Sequence, residues 1–132
     1  MKPEEKVVKN WFIMAEIDLR AAKAISKEGI FSAVCFHAQQ VVEKILKGLI
    51  LHYENEVPKT HDLMLLLNKV IKHQPDFEKY RGNCELLNKF YVPTRYPDVF
   101  PGSLPEGLPD KNDASKSLEI AEEIFNSTSP PF

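Results

Sequence analysis

Phe31–Glu54, FSAVCFHAQQVVEKILKGLILHYE, carries the strongest helical signal in the chain. Its apolar residues recur with the helical period. Val34, Ala38, Val41, Ile45 and Leu49 share one face, and Cys35, Val42, Leu46 and Tyr53 lie beside it. A helix apolar on two sides is central in its bundle or buried in an oligomer. The remaining stripe, His37, Gln40, Lys44 and Lys47, is spaced i, i+3, i+7, i+10. Its simplest reading is a solvated face, supported by a Glu43–Lys47 pair at i, i+4.

The helical period continues on both sides. A first helix is expected over about Pro3–Lys27, with Pro3 in the first turn and a stripe of Val8, Trp11, Phe12, Ala15, Leu19, Ala22 and Ile25. Gly29 separates it from the second. Past Pro58, Thr60 is the expected N-cap of a third helix, about His61–Lys72, with Leu63, Leu66, Leu67 and Val70 inward. A fourth follows Pro75, about Asp76–Tyr91, burying Phe77, Tyr80, Cys84, Leu87 and Tyr91. The last, about Asn112–Ser127, is capped by Asp110 or Asn112 and buries Ala114, Leu118, Ala121 and Phe125. No strand pattern appears. The expectation is an all-α, up-and-down bundle of four or five helices forming a single domain over residues 1–132.

Between the fourth and last helices the pattern fails. Pro93, Pro97, Pro101, Pro105 and Pro109 recur every fourth residue, with Gly102 and Gly107 among them. Proline excludes a regular helix there, and the period does not match polyproline ligands. A connection of roughly 18 residues is long for a compact helical domain, and such loops tend to be functional. At its entrance stands YVPTRYPDVF, with Arg95 between Pro93 and Pro97. An arginine held this way is a preorganised fork of donors for phosphate or carboxylate. Tyr91, Tyr96 and Asp98 flank it, with aromatic packing and an Asp–Arg pair as their structural roles.

Composition narrows the function. The 132 residues carry a net charge of −2, with both signs mixed, which argues against coating duplex nucleic acid through bulk charge. No apolar run spans a bilayer and the N-terminus is charged, so a soluble, cytoplasmic chain is expected. Cys35 and Cys84 read as buried free thiols. His37, His52, His61 and His73 lack metal-ligand spacing, so neither metal nor cofactor is expected. Phosphate-loop, zinc-protease and nucleophile-elbow motifs are absent. In Thr60-His61-Asp62 capping explains the aspartate, and His61 is left over.

Three phrases in order, FHAQQVVEKILKGLI, THDLMLLL and YVPTRYPD, resemble the HEPN domain, the domain of higher eukaryotes and prokaryotes nucleotide-binding proteins. The resemblance runs from about Trp11 to the last helix. It implies a helical bundle that commonly forms a homodimer. Small stand-alone members often work beside a minimal nucleotidyltransferase-type partner, and many such pairs are toxin–antitoxin systems in which the HEPN protein is a metal-independent ribonuclease. Other members serve as nucleotide-binding or interaction modules.

Carried over residue by residue, Arg95 matches the arginine of the family's ribonuclease motif. The histidine expected after four to six intervening residues falls on Phe100, Pro101 or Gly102, none of which transfers protons. The tyrosine of a related variant falls on Pro101. Proton transfer by a positioned side chain typically contributes about 10²–10⁴-fold. Arginine can stabilise charge but is a poor base. The reading is therefore a nucleotide- or RNA-associated binding module, with Arg95, Tyr96, Asp98 and Lys44 as the phosphate-binding set. Two alternatives accompany it. One is a metal-independent ribonuclease whose displaced catalytic histidine is His37 or His61. The other is a dimeric structural protein in which Arg95 forms an interface salt bridge.

Overall fold

A computed structural model describes residues 4–90 and 108–132. Tyr91, Arg95, Tyr96 and Asp98, with the rest of 91–107, lie outside the described residues, as do residues 1–3. The described part is all-helical: α1 (Glu5–Lys27), α2 (Phe31–Glu54), α3 (Leu63–Ile71), a 3₁₀ segment (Pro75–Tyr80), α4 (Arg81–Asn88) and α5 (Lys111–Ser127).

The turn between α1 and α2 is short because Gly29 adopts φ +73°, a left-handed conformation open to glycine. The two helices are therefore packed as a hairpin along most of their length. α2 also touches α3, α4 and α5, so it is the central helix. Its apolar excess is consumed within the chain: Val34, Cys35, Ala38, Val41, Val42, Ile45, Leu46, Leu49 and Ile50 are all buried. Gly48 lies on the side of α2 packed against α1. A Cβ there would stand 2.9 Å from Trp11 Cβ and 3.1 Å from a Phe12 ring carbon. α2 ends on Asn55 at φ 58°, whose N–H donates to Leu51 O.

Three local expectations need correction. α3 begins at Leu63 and its N-cap is Asp62, whose carboxylate accepts from Met64 N at 2.9 Å. Thr60 stands two residues earlier and its Oγ1 accepts from Asp62 N, making a turn that presents the cap. The fourth helix is two pieces: Pro75 opens a 3₁₀ segment that packs Phe77 and Tyr80, and α4 follows only from Arg81 to Asn88. Tyr53 is 37% exposed rather than part of the core. At the last helix Asp110 is the cap and forms a reciprocal box with Asp113.

Among the described residues no helix is long and apolar enough to cross a membrane.

Candidate functional site

The stripe that reads as a solvated face of α2 is not one. Gln40 and Lys47 are buried, as are Gln39 and Glu43 beside them. Much of one polar side of the central helix is packed away from water. Burying such groups is unfavourable unless each finds a partner. Among the described residues every buried side-chain nitrogen and oxygen does.

Glu43 is the hub of one half. Its Oε2 accepts from Lys47 Nζ at 3.0 Å and from His61 Nδ1 at 2.9 Å. Its Oε1 accepts from Gln39 Nε2 and Gln40 Nε2, each at 3.2 Å. Gln40 also donates to Gln39 Oε1 at 2.7 Å, and Gln39 donates to the backbone carbonyl of His61 at 3.2 Å. Burial pushes the Glu43 carboxyl upward, but the bonds from His61 and Lys47 outweigh it and hold the group below its ordinary value. The Glu43–Lys47 pair expected at i, i+4 exists, but inside the protein, with side chains only 5% and 7% exposed.

Asp18 of α1 is the hub of the other half. Its Oδ1 accepts from His37 Nδ1 at 2.8 Å, and its Oδ2 accepts from Lys44 Nζ. Burial raises this carboxyl too, and His37 with Lys44 bring it below the ordinary aspartate value. The pair is more open than the Glu43 hub: the His37 and Lys44 side chains are 26% and 24% exposed. An imidazole oriented by a carboxylate through Nδ1 turns its Nε2 outward as a proton acceptor or donor.

A third group fixes the start of α3. Asn88, the last residue of α4, accepts from Leu63 N at 2.9 Å and donates to Asp62 Oδ1 at 2.9 Å. Its position ties the α3 cap to the point where the chain leaves α4 for the proline-rich segment.

Of the residues singled out in the sequence, His37 and Lys44 converge on Asp18, and His61 meets Glu43. Sequence reasoning misses Asp18 and Glu43 because an acid on an amphipathic helix ordinarily faces solvent. Only the packing of α1 on α2 shows otherwise. Asp18 has one signal, its place between Ala15, Leu19 and Ala22 on the buried side of α1. Cys35 and Cys84 are buried free thiols, as expected, and burial pushes them up to about 11 and about 12. Among the described residues no group of three or more His, Cys, Asp or Glu side chains could hold a metal ion.

The helical bundle agrees with what comparison with known proteins finds. The HEPN domain family matches residues 8–129, so the chain belongs to that family. It is 27% identical to the putative toxin MJ1304 of Methanocaldococcus jannaschii, over 91% of this chain and 84% of that one. Two crystal structures share its fold. TT1696 from Thermus thermophilus is 30% identical, with a TM-score of 0.77 over 90% of this chain and 93% of that one. ST0689, an archaeal HEPN homologue, is 30% identical, with a TM-score of 0.69 over 91% and 93%.

Proposed function

We propose that this chain is a single-domain, homodimeric, cytoplasmic HEPN module that binds nucleotide or RNA phosphate. In this reading it works beside a minimal nucleotidyltransferase-type protein in a two-component, toxin–antitoxin-like pair. The observation that carries the reading is the half-open Asp18–His37–Lys44 cluster between α1 and α2, with a cation at hydrogen-bonding reach of solvent. Family membership and the likeness to a protein named as a putative toxin support the two-component setting.

Lys44 is half-neutralised by Asp18, so an incoming phosphate competes with a carboxylate for the same ammonium. That favours a doubly or triply charged phosphate, or one that also meets the Arg95 guanidinium and the Tyr96 hydroxyl. Titration calorimetry with ATP, GTP and a short single-stranded RNA tests the site, with and without the partner. Binding removed by both Lys44→Ala and Arg95→Ala is the expected result. Binding unchanged in both variants sinks the assignment.

The His37–Asp18 bond favours a second reading, a metal-independent ribonuclease. His37 Nε2 would take the proton of a ribose 2′-hydroxyl, and that oxygen would bond to phosphorus. The bond from phosphorus to the 5′-oxygen would break, with the leaving oxygen protonated by water, giving a 2′,3′-cyclic phosphate and a 5′-hydroxyl. EDTA-resistant cleavage lost in His37→Ala and Asp18→Asn would support it. Intact RNA with the wild-type protein across pH would end it.

A further inference from the structure

The outward side of α1 does not match the rest of the surface. Val7, Ile13, Met14 and Ile17 are exposed there, Ile17 to 57%. Single exposed apolar side chains mean little, but several on one helix face mark an interaction surface. Along the second half of the helix this face is a shallow, open depression whose lining belongs to α1 alone. Its lining divides by chemistry: Ile17, Ala21 and Ala24 form an aliphatic strip, and Arg20, Lys23 and Lys27 line one edge of it. Among the described residues Lys23 reaches Glu122 at 3.1 Å, while Arg20 and Lys27 have no ion pair.

We propose that this face of α1 docks an amphipathic helix of a second protein, one carrying aliphatic residues on one face and acidic side chains beside them. The alanines let another helix lie close, and helix-on-helix packing buries an aliphatic strip of this kind. The cationic edge selects acidic side chains and repels basic ones. A second copy of this chain fits less well, because a two-fold contact sets the same patch against itself and so brings Arg20 and Lys27 near their own equivalents. Single-stranded RNA would satisfy the cationic edge, but the strip has no aromatic ring on which a base could stack. The docking role rests on the two-component reading and gives the partner protein a surface, while its test is independent of RNA binding at Lys44.

The probe is a fluorescent synthetic helix of about 18 residues, five turns, with leucines at i, i+3, i+4 and i+7 and glutamates on both flanks. A twin carries lysine in place of each glutamate. Fluorescence anisotropy with the full chain should show the glutamate peptide binding at least ~10-fold tighter than its twin, a difference of about 1.4 kcal/mol. Raising the salt should weaken that binding. Ala24→Glu and Arg20→Glu should each reduce it at least ~10-fold. Both positions are exposed, so circular dichroism should report the wild-type fold. No binding by the glutamate peptide, or equal binding by both peptides, would overturn the proposal. So would displacement of the peptide by oligouridylate or by phosphatidylserine vesicles whose binding is lost in the same two variants. Self-association of the wild type that Ala24→Glu abolishes would assign this face to a second copy instead. Loss of RNA binding in Lys44→Ala with peptide binding intact would separate this face from the phosphate site.

Discussion

His61 Nδ1 donates to the buried carboxylate of Glu43 across 2.9 Å, joining the residue that precedes the α3 cap to the middle of the central helix. The same carboxylate holds Lys47, Gln39 and Gln40. Removing it strands a buried ammonium and takes one of two acceptors from each of the two amides. Glu43→Ala should therefore destabilise the fold by about 3–5 kcal/mol, the usual consequence of breaking one side of a buried pair. Urea unfolding measures this, and a change below about 1 kcal/mol would mean that water replaces the network.

Acid should act through the same two hubs. Glu43 and Asp18 both have folded-state values below their ordinary 4.5 and 3.8. A carboxylate depressed on folding contributes stability that is fully present above its unfolded value and is lost as pH falls through the folded one. Stability should thus hold down to about pH 5 and decline below it. The decline should be shallower in Glu43→Gln, which has no such carboxyl to protonate. Parallel acid limbs in wild type and variant would contradict this.

Two glycines make opposite predictions. Gly48→Ala places a methyl against Trp11 and Phe12 at the α1–α2 crossing and should destabilise by about 1–3 kcal/mol. Gly82 lies in α4 with nothing within 4 Å of where its Cβ would stand, so Gly82→Ala should stabilise by about 0.5–1 kcal/mol. Thermal unfolding of the two variants side by side checks both signs.

The α3 cap should behave as a coupled unit. Asp62→Ala removes the acceptor of Met64 N and should lose about 0.5–2 kcal/mol. Asn88→Ala removes a bond to the same carboxylate and leaves Leu63 N without its acceptor. In a double-mutant cycle the two losses should be non-additive by at least about 0.5 kcal/mol. Strict additivity would show that Asn88 and Asp62 act separately.

Both thiols should resist modification in the folded protein, because the thiolate is the reactive form and burial raises Cys35 to about 11 and Cys84 to about 12. Iodoacetamide should label them only on unfolding, with the rate following global stability. Fast native labelling of either would contradict its burial.

The helices are legible in the sequence because period and caps report local physics. The apolar repeat from Val34 to Leu49 marks the central helix, and the proline spacing locates the break before α5. The polar side of α2 is illegible for a tertiary reason. His37, Gln40, Lys44 and Lys47 have the spacing of a solvated face. Asp18 from α1 takes His37 and Lys44, while Gln40 and Lys47 turn to Glu43 of α2, which His61 from beyond the helix completes. Thr60 and Asp62 both suit an N-cap by residue type, and the backbone decides for Asp62. Arg95 stands out through its flanking prolines, a local signal. The partners of Lys44 do not, since they lie on another helix.

Phosphate binding at the Asp18–His37–Lys44 edge, in concert with Arg95, is what the proposed function stands or falls on. The most direct measurement is the affinity of a short single-stranded RNA for wild type, Lys44→Ala and Arg95→Ala, each shown to be folded by circular dichroism. A loss of at least ~10-fold in each variant, equivalent to about 1.4 kcal/mol, is the predicted result. Equal affinity in all three proteins, or no RNA or nucleotide binding by the wild type with its partner present, would contradict it.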